Sequence, residues 1–264
     1  MGGNVQHIVV HAGFHKTGTT ALQRFLQMNG PHLWPHMALV LPHRINHATR
    51  MATLHSSVGD LVSKGEYKAR LVAFLETLDI GQRRHLVICA ENMAGLIPGR
   101  NGHPDYSCMP VLLAVARDAI QQVFGKHRPL EFHLTTRKSD DWLRSCYWQN
   151  LRSSRLTMEF ETFAETFQDA ADFTKIIEHA RQSLGSTPLY AASYEDLKSK
   201  KFGPADRVVN AVPLPADVLR KLSLVPNRNI TPDDSKIAAV LAHNRLPRTQ
   251  DWAAEKEALL KQQF

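Results

Sequence analysis

Apolar positions follow two different patterns along this chain. Short, nearly unbroken apolar runs at residues 7–13, 85–90, 130–136 and 189–192 predict buried strands, and residues 37–41 predict one more between Pro35 and Pro42. Between these runs, apolar residues recur every three or four positions, which predicts amphipathic helices. Because strands alternate with helices, the pattern predicts an α/β fold: a three-layer parallel sheet of four or five strands with helices on both faces.

The predicted helices are longer than the strands and carry recognisable ends. They lie at residues 19–28, 47–62, 66–78, 110–124, 140–155, 161–167, 173–184, 216–222, 233–243 and 252–262. Pro110 favours a helix start, Gly125 a helix end, and Ser139 or Asp140 a helix cap. The Pro- and Asn-rich stretch 225–232 reads as a loop rather than a linker, so we expect one domain over residues 1–264.

Composition and charge narrow the class of protein only slightly. The net charge of +7 favours anionic partners without choosing among them. Three cysteines without a C-x-x-C pair indicate neither a disulfide framework nor a zinc site. No apolar run approaches the roughly 18–20 residues that cross a bilayer, and no secretory signal precedes the first strand. We therefore expect a cytoplasmic protein without a membrane span.

The most informative segment is V-V-H-A-G-F-H-K-T-G-T-T at residues 9–20. It passes from an apolar strand through a glycine-bearing turn into a helix, and such a turn directs backbone N–H groups at an anion. Gly13 and Gly18 let the backbone turn and approach a ligand closely. Lys16 adds a positive charge, and Thr19 and Thr20 add hydroxyl groups. The segment predicts a phosphate-binding loop.

Two kinds of nucleotide-binding loop have features in common with this segment. Gly13 and Gly18 have the spacing of the ATP- or GTP-binding loop G-x-x-x-x-G-K-[ST], but Thr19 occupies the lysine position. The string K-T-G-T-T at 16–20 instead resembles the 5′-phosphosulfate loop, K-[ST]-G-T-[TS], of sulfotransferases that use 3′-phosphoadenosine-5′-phosphosulfate (PAPS). The longer string H-K-T-G-T-T-A-L-Q at 15–23 is similar to the bacterial branch of that family. The resemblance implies a P-loop-like fold and a nucleotide-binding site without a metal.

A second motif follows the strand at 130–136. Arg137, Asp141, Ser145 and Tyr147 match the pattern R-x-P-x-D-x-x-x-S-x-Y, by which the same family binds the 3′-phosphate, although Lys138-Ser139 replaces the usual residue and proline. Arg137 and Ser145 would be the phosphate ligands. The alternative is a capped helix with a solvated basic face.

Four further positions complete the expected site. Glu91 directly follows an apolar strand and looks like the glutamate base of glycan-modifying members of the family; the alternative is a helix cap or an ion pair with Arg137. Tyr194, in Y-E-D-L, resembles the tyrosine that holds adenine, unless it is a core aromatic. His15 lies inside the loop and would contact the sulfonate or the acceptor, or fill the turn. Arg228 would close the nucleotide site.

The resemblance implies a PAPS-dependent sulfotransferase. The acceptor would be a hydroxyl or amine on a small molecule or glycan, attacking sulfur in line and releasing 3′-phosphoadenosine-5′-phosphate (PAP). His15, Lys16, Thr17, Gly18, Thr19 and Thr20 would bind the nucleotide; Lys16 would also stabilise the leaving group, with Glu91 as base. The alternatives are a P-loop small-molecule kinase and a basic nucleotide- or RNA-binding module. We expect no nucleic-acid partner, since exposed aromatics do not alternate with basic residues. The sequence leaves the acceptor and the oligomeric state open.

Overall fold

Residues 6–81, 84–224 and 232–262 are described in the computed structural model of the chain. They form two compact units. The sheet unit comprises the described parts of Met1–Leu96, Tyr106–Lys138 and Phe173–Asn227, and the helical unit those of Ile97–Asp105, Ser139–Asp172 and Arg228–Phe264. The expectation of one domain over residues 1–264 stays a prediction.

The sheet unit contains a five-stranded parallel sheet with the order β2-β3-β1-β4-β5. The strands are β1 (Ile8–His11), β2 (Met37–Val40), β3 (His85–Cys89), β4 (Leu130–Thr136) and β5 (Leu189–Ser193). In register, Val9 lies opposite Val87 on one side and Glu131 on the other. The predicted α/β fold with a parallel sheet is confirmed, and the strand count is five.

The helices follow the strands in chain order. They are α1 (Thr19–Met28), α2 (Gly30–Leu33), α3 (Pro42–Val58), α4 (Leu61–Glu76), α5 (Met109–Phe124), α6 (Ser139–Ser153), α7 (Phe160–Phe167), α8 (Phe173–Leu184), α9 (Tyr194–Leu197), α10 (Asp206–Asn210), α11 (Ala216–Lys221), α12 (Asp234–Arg245) and α13 (Trp252–Lys261). Short 3₁₀ helices occupy Glu91–Ala94, Arg100–Gly102, Gln168–Ala171 and Gly203–Ala205. Among the described residues, no helix is both long and apolar enough to cross a membrane.

Strands β1 and β3 are buried on both faces. Val9 and Val87 pack with Leu22 and Phe25 of α1 and with Val208 of α10 in one hydrophobic cluster. Neighbouring strand residues point to the opposite face, where they are also fully buried. Helices α3, α4, α5 and α8 pack side by side in this order. Burial on both faces explains why β1 and β3 are unbroken apolar runs rather than alternating ones.

Two helix boundaries differ from the predicted ones at 47–62 and 66–78. Helix α3 begins at Pro42, because proline at the first helical position has the right φ and needs no N–H partner. It ends at Val58, where Gly59 adopts φ 68°. Asp60 then caps α4 by accepting a hydrogen bond of 2.6 Å from the Ser63 N–H. The single-turn helices α2, α9 and α10 were missed because they are too short to show a period.

The helical unit includes α6, α7, α12 and α13. Tyr147 of α6 packs its ring against Phe160 and Phe163, with centroids 5.5 and 5.4 Å away. Its hydroxyl donates to the carbonyl of Met158. Asn244 of α12 is fully buried, and its amide donates to backbone carbonyls at the end of α6. These contacts make Tyr147 a core residue of this unit.

Candidate functional site

The strand order places the predicted loop at the point where the sheet reverses its direction of growth. The chain leaves β1 towards the β3 side to form β2, whereas it leaves β4 on the other side to form β5. In open α/β sheets, ligands bind at the carboxyl ends of the two strands that flank such a reversal. The segment 12–18 follows β1, and Arg137 follows the adjacent strand β4.

The loop is a tight turn that bonds to itself. Lys16 and Gly18 have positive φ angles of 66° and 99°. Thr17 is buried, and its hydroxyl donates to the Phe14 carbonyl at 2.7 Å. The Ala21 N–H donates back to the Gly18 carbonyl at 3.0 Å. Thr17 therefore uses its hydroxyl to hold the turn, and only its backbone N–H is left to meet a ligand.

The start of α1 presents donors that the protein itself does not use. The Thr19 hydroxyl oxygen is buried and has no hydrogen-bond partner within the described residues. No acceptor in the described ranges receives the backbone N–H of Thr19 or Thr20, since the first N–H groups of a helix have no partner inside it. Thr20 is exposed. Buried donors without acceptors at a helix N-terminus are what an oxyanion would satisfy.

Arg137 and Tyr194 lie against this loop. Arg137 Nη1 donates to the Lys16 carbonyl at 3.2 Å, and its guanidinium lies 5.7 Å from the centre of the Tyr194 ring. Arg137 Nε is buried without a hydrogen-bond partner in the described part of the chain. The Tyr194 ring covers Gly18 so closely that a Cβ there would lie 2.5 Å from the ring. The structure thus brings Lys16, Gly18, Arg137 and Tyr194 together.

Gly18→Ala tests this packing. The methyl group would meet Tyr194, and the residue would keep a left-handed backbone, so we expect a loss of about 2–4 kcal/mol in the free energy of unfolding. Gly59→Ala is the matched control, because Gly59 has φ 68° but no atom within 4 Å of its Cβ position. Gly59→Ala should lower the free energy of unfolding by only about 1 kcal/mol, which comes from the left-handed backbone alone. Equal losses in urea denaturation would contradict the close contact.

Glu91 begins the 3₁₀ helix that follows β3. Its Oε2 accepts a hydrogen bond of 2.7 Å from Gln23 Nε2 on α1, so the carboxylate pairs with Gln23 rather than with Arg137. The side chain is half-buried. Gln23 therefore fixes the orientation of Glu91, the residue that the sequence predicts to be the base.

His15 is held by two neighbours through both ring nitrogens. The Tyr106 hydroxyl accepts from the His15 backbone N–H at 3.1 Å and lies 3.0 Å from Nδ1, while Nε2 lies 2.9 Å from Asn92 Oδ1. One arrangement satisfies all three contacts: Tyr106 donates to Nδ1, and Nε2–H donates to Asn92. His15 therefore links the loop to the residue after Glu91. Sequence reasoning missed Tyr106, since no motif marks it.

His11 supports the loop from inside the sheet. It is buried, its Nε2 lies 3.0 Å from Thr135 Oγ1, and its ring touches Gly13, where a Cβ would lie 2.5 Å from Cε1. Burial, with repulsion from His133 as a lesser cause, lowers the pKa of His11 to about 3. The strand residue before the loop is therefore neutral in the folded protein.

A neutral buried histidine makes stability depend on pH. The unfolded chain protonates His11 near pH 6.5 and the folded one only near pH 3, so stability is full above 6.5 and falls as the pH drops through this window. Each unit of pKa difference is worth about 1.4 kcal/mol. The free energy of unfolding, measured by urea denaturation, should depend less steeply on pH in His11→Asn than in the wild type. The exposed His32→Asn should leave this dependence unchanged. Part of the pH dependence should remain in His11→Asn, because burial also lowers the pKa values of His85 and His103.

Two predicted ligands, Ser145 and Arg228, are not among the described residues of the sheet unit. Ser145 is a buried residue of α6 in the helical unit, whereas Arg137 belongs to the sheet unit. A phosphate site shared by Arg137 and Ser145 stays a prediction. Arg228 lies outside the described residues. Within the described ranges, no group of three or more His, Cys, Asp or Glu side chains is arranged to hold a metal ion.

Comparison with known proteins adds no assignment. No protein-family model, no curated protein and no solved structure matches this chain. The function is therefore argued from the residues and the geometry around the loop.

Proposed function

We propose that this chain is a PAPS-dependent sulfotransferase, which transfers a sulfuryl group to a hydroxyl or amine of a small-molecule or glycan acceptor. The observation that carries the proposal is the loop at 13–20 with its unused donors, lying beside Arg137 and Tyr194 at the reversal point of the sheet. The motif K-T-G-T-T at this place favours a phosphosulfate over other anions.

The 5′ end of the nucleotide would occupy the helix N-terminus. An oxyanion there would accept from the Thr19 hydroxyl and from the N–H groups of Thr19 and Thr20, which lack acceptors in the described structure. It would also lie where the dipole of α1 is positive. Binding would thereby remove the cost of leaving a buried hydroxyl without a partner.

The nucleoside end would lie towards Arg137 and Tyr194. Arg137 offers a buried Nε without a protein partner, and a guanidinium binds phosphate oxygens through directed N–H groups. Tyr194 offers an aromatic ring for adenine. Because Arg137 also donates to the Lys16 carbonyl, one side chain would couple the 3′-phosphate to the phosphosulfate loop.

The transfer would need little covalent help from the protein. The acceptor oxygen or nitrogen forms a bond to sulfur while the bond from sulfur to the bridging phosphate oxygen breaks, and Glu91 takes the acceptor proton. Gln23 holds one carboxylate oxygen of Glu91, which orients the group for that transfer. Lys16 stabilises the negative charge that grows on the departing PAP. Positioning and charge stabilisation supply the catalysis, as in phosphoryl transfer.

Thr19→Val tests the anion site with two readouts of different sign. The Thr19 hydroxyl has no protein partner, so the variant should keep or slightly raise the melting temperature while PAP binds about tenfold more weakly. Thr17→Val is the contrast, because the Thr17 hydroxyl donates to Phe14 and its loss should cost about 1–2 kcal/mol of stability. Calorimetric titration and thermal denaturation measure the two effects. Unchanged PAP affinity in Thr19→Val would remove Thr19 from the site.

The deciding experiment compares two nucleotides. We expect calorimetric titration with PAP in chelator-treated buffer to give tight binding, and ATP with Mg²⁺ to bind weakly. A screen of phenols, amines and oligosaccharides with radiolabelled PAPS should then identify the acceptor, with Glu91→Gln losing transfer but keeping PAP affinity. Tight binding of ATP–Mg²⁺ and none of PAP would replace the proposal by the kinase, which the Gly13–Gly18 spacing also permits.

A further inference from the structure

A cavity of about 360 Å³, partly open to solvent, is lined by residues of the helical unit that the proposed function does not use. The end of α6 and the helix α13 form its walls. Its lining includes Arg152, Arg155, Arg248, Trp252, Lys256 and Glu257. This volume is in the range of pockets that hold small molecules.

The cavity has an excess of positive charge that the protein does not neutralise. The lining has four cationic side chains and one carboxylate, Glu257. Glu257 pairs with Lys261 outside the lining, at 2.6 Å. None of the four cations forms an ion pair with a carboxylate within the described residues. The cavity therefore attracts anions.

Two of these cations are held in fixed positions by backbone carbonyls at the ends of α6 and α12. Lys256 Nζ donates to the carbonyls of Leu151 and Ser154, at 2.7 and 2.6 Å. Arg155 donates to the carbonyls of Asn244 and Leu246, at 2.9 and 2.8 Å. Binding a ligand beside them costs little side-chain entropy, because their conformations are already restricted.

Arg248 and Arg152 supply the guanidinium N–H donors that are available to a ligand. Arg248 is exposed and forms no hydrogen bond among the described residues; its guanidinium lies 5.8 Å from the centre of the Trp252 ring. Within the described ranges, the Arg152 guanidinium bonds only to the neutral amide of Gln149. A guanidinium offers five N–H donors in a fixed plane, so both residues keep donors for an oxyanion.

Trp252 adds a rigid aromatic surface next to these charges. Its indole N–H donates to the His243 carbonyl at 3.1 Å, and the His243 ring stacks on it at 5.2 Å. His243 Nε2 in turn donates to the Trp252 carbonyl at 2.9 Å. Lys256 Nζ lies 5.2 Å from the ring centre. A held indole offers a flat apolar surface for a ring, and the neighbouring cations attract a negative group on that ring.

We propose that this cavity binds a small ring-bearing oxyanion, which is a sugar or aromatic ring with a sulfate, phosphate or carboxylate group. The ring would lie against Trp252, and the anionic group would accept hydrogen bonds from Arg248 and Arg152. This site is independent of the proposed sulfotransferase activity, since none of its lining residues has a role in that proposal.

The test uses the full chain carrying both Thr19→Val and Arg137→Ala, which together weaken competing anion binding at the loop. Glucose 6-phosphate and 4-nitrophenyl phosphate are titrated at low salt by calorimetry and tryptophan fluorescence, with glucose and inorganic phosphate as references. At least one ring phosphate should bind more tightly than both references, and the better one identifies the ring class. Arg248→Ala should weaken it at least fivefold, whereas Arg220→Ala, which removes one exposed charge from the sheet unit, should not.

Trp252→Phe separates the aromatic contribution from the charge. This variant keeps a ring in the helical core, and it should reduce the advantage of the ring phosphate over inorganic phosphate. The proposal is overturned if inorganic phosphate binds as well as both ring phosphates, or if neither binds at millimolar concentration. It is also overturned if Arg248→Ala and Arg220→Ala weaken binding equally. Loss of PAP binding at the loop would overturn the proposed function but not this site.

Discussion

Replacing Arg137 with alanine is expected to weaken PAP binding about a hundredfold, the largest change in affinity that any single side chain of the loop region should produce. A charge-assisted contact to phosphate is worth about 1.5–3 kcal/mol, which corresponds to roughly ten- to 150-fold in affinity. Arg137 is expected at the upper end because it also donates to the Lys16 carbonyl. The variant would lose a ligand contact and a restraint on the loop together.

Two controls separate these effects by calorimetric titration. Adenosine 5′-phosphate lacks the 3′-phosphate, so its affinity for Arg137→Ala should fall much less than that of PAP. Arg207→Ala removes a second guanidinium of the sheet unit that lies over a tyrosine, at 4.4 Å from the Tyr190 ring centre, and it should leave PAP affinity unchanged. An equal loss for the two nucleotides would show that Arg137 acts only by holding the loop.

Replacing Lys16 with glutamine is expected to slow sulfuryl transfer about 10²–10³-fold while PAP affinity falls by less. Loss of one preorganised donor at a developing negative charge typically has this effect on kcat. Glutamine keeps a similar length, and any L-residue meets the same cost at φ 66°, so the backbone term cancels in the comparison. Single-turnover release of labelled PAP, with the acceptor found in the screen, measures the rate of the chemical step.

The matched control for this rate is Lys68→Gln, which removes one exposed charge from α4. It should leave the rate unchanged, because a distant solvated charge is screened by salt. If Lys16→Gln transferred sulfate at the wild-type rate but bound PAPS more weakly, Lys16 would have a role in binding alone. If Lys16→Gln instead lowered the melting temperature so far that the variant unfolds under the assay conditions, the loss of activity would indicate a structural role.

The predictions from local pattern were accurate where the signal is itself local. Helices α1 and α8 begin and end at the predicted residues, because apolar periodicity and flanking glycine or aspartate mark them. The start of α3 was predicted five residues late, since Pro42 was interpreted only as the boundary of the strand at 37–41, although it occupies the first helical turn. The short helix at Tyr194 was missed for lack of length.

In the candidate site, too, the local features were predicted and the contacts between distant segments were not. The segment 9–20 was predicted to pass from a strand through a turn into a helix; the strand Ile8–His11 lies within the predicted range 7–13, and the helix begins at Thr19 as predicted. The network of His15 with Tyr106 was not predicted, because its partners are 91 residues apart and no motif joins them. The contact of Tyr194 with Gly18 was likewise beyond sequence reasoning, although each residue was named separately for a nucleotide role.

The sequence alone determined the class of the fold and predicted the anion loop. Both follow from hydrophobic period and glycine placement, which act over a few neighbouring residues. Only the tertiary structure decided the order β2-β3-β1-β4-β5, and thereby that Arg137 reaches the carbonyl of Lys16, 121 residues earlier. Strand order depends on which apolar faces pack together after the chain has crossed over the sheet. That free energy comes from contacts between distant segments, and local spacing carries no information about it.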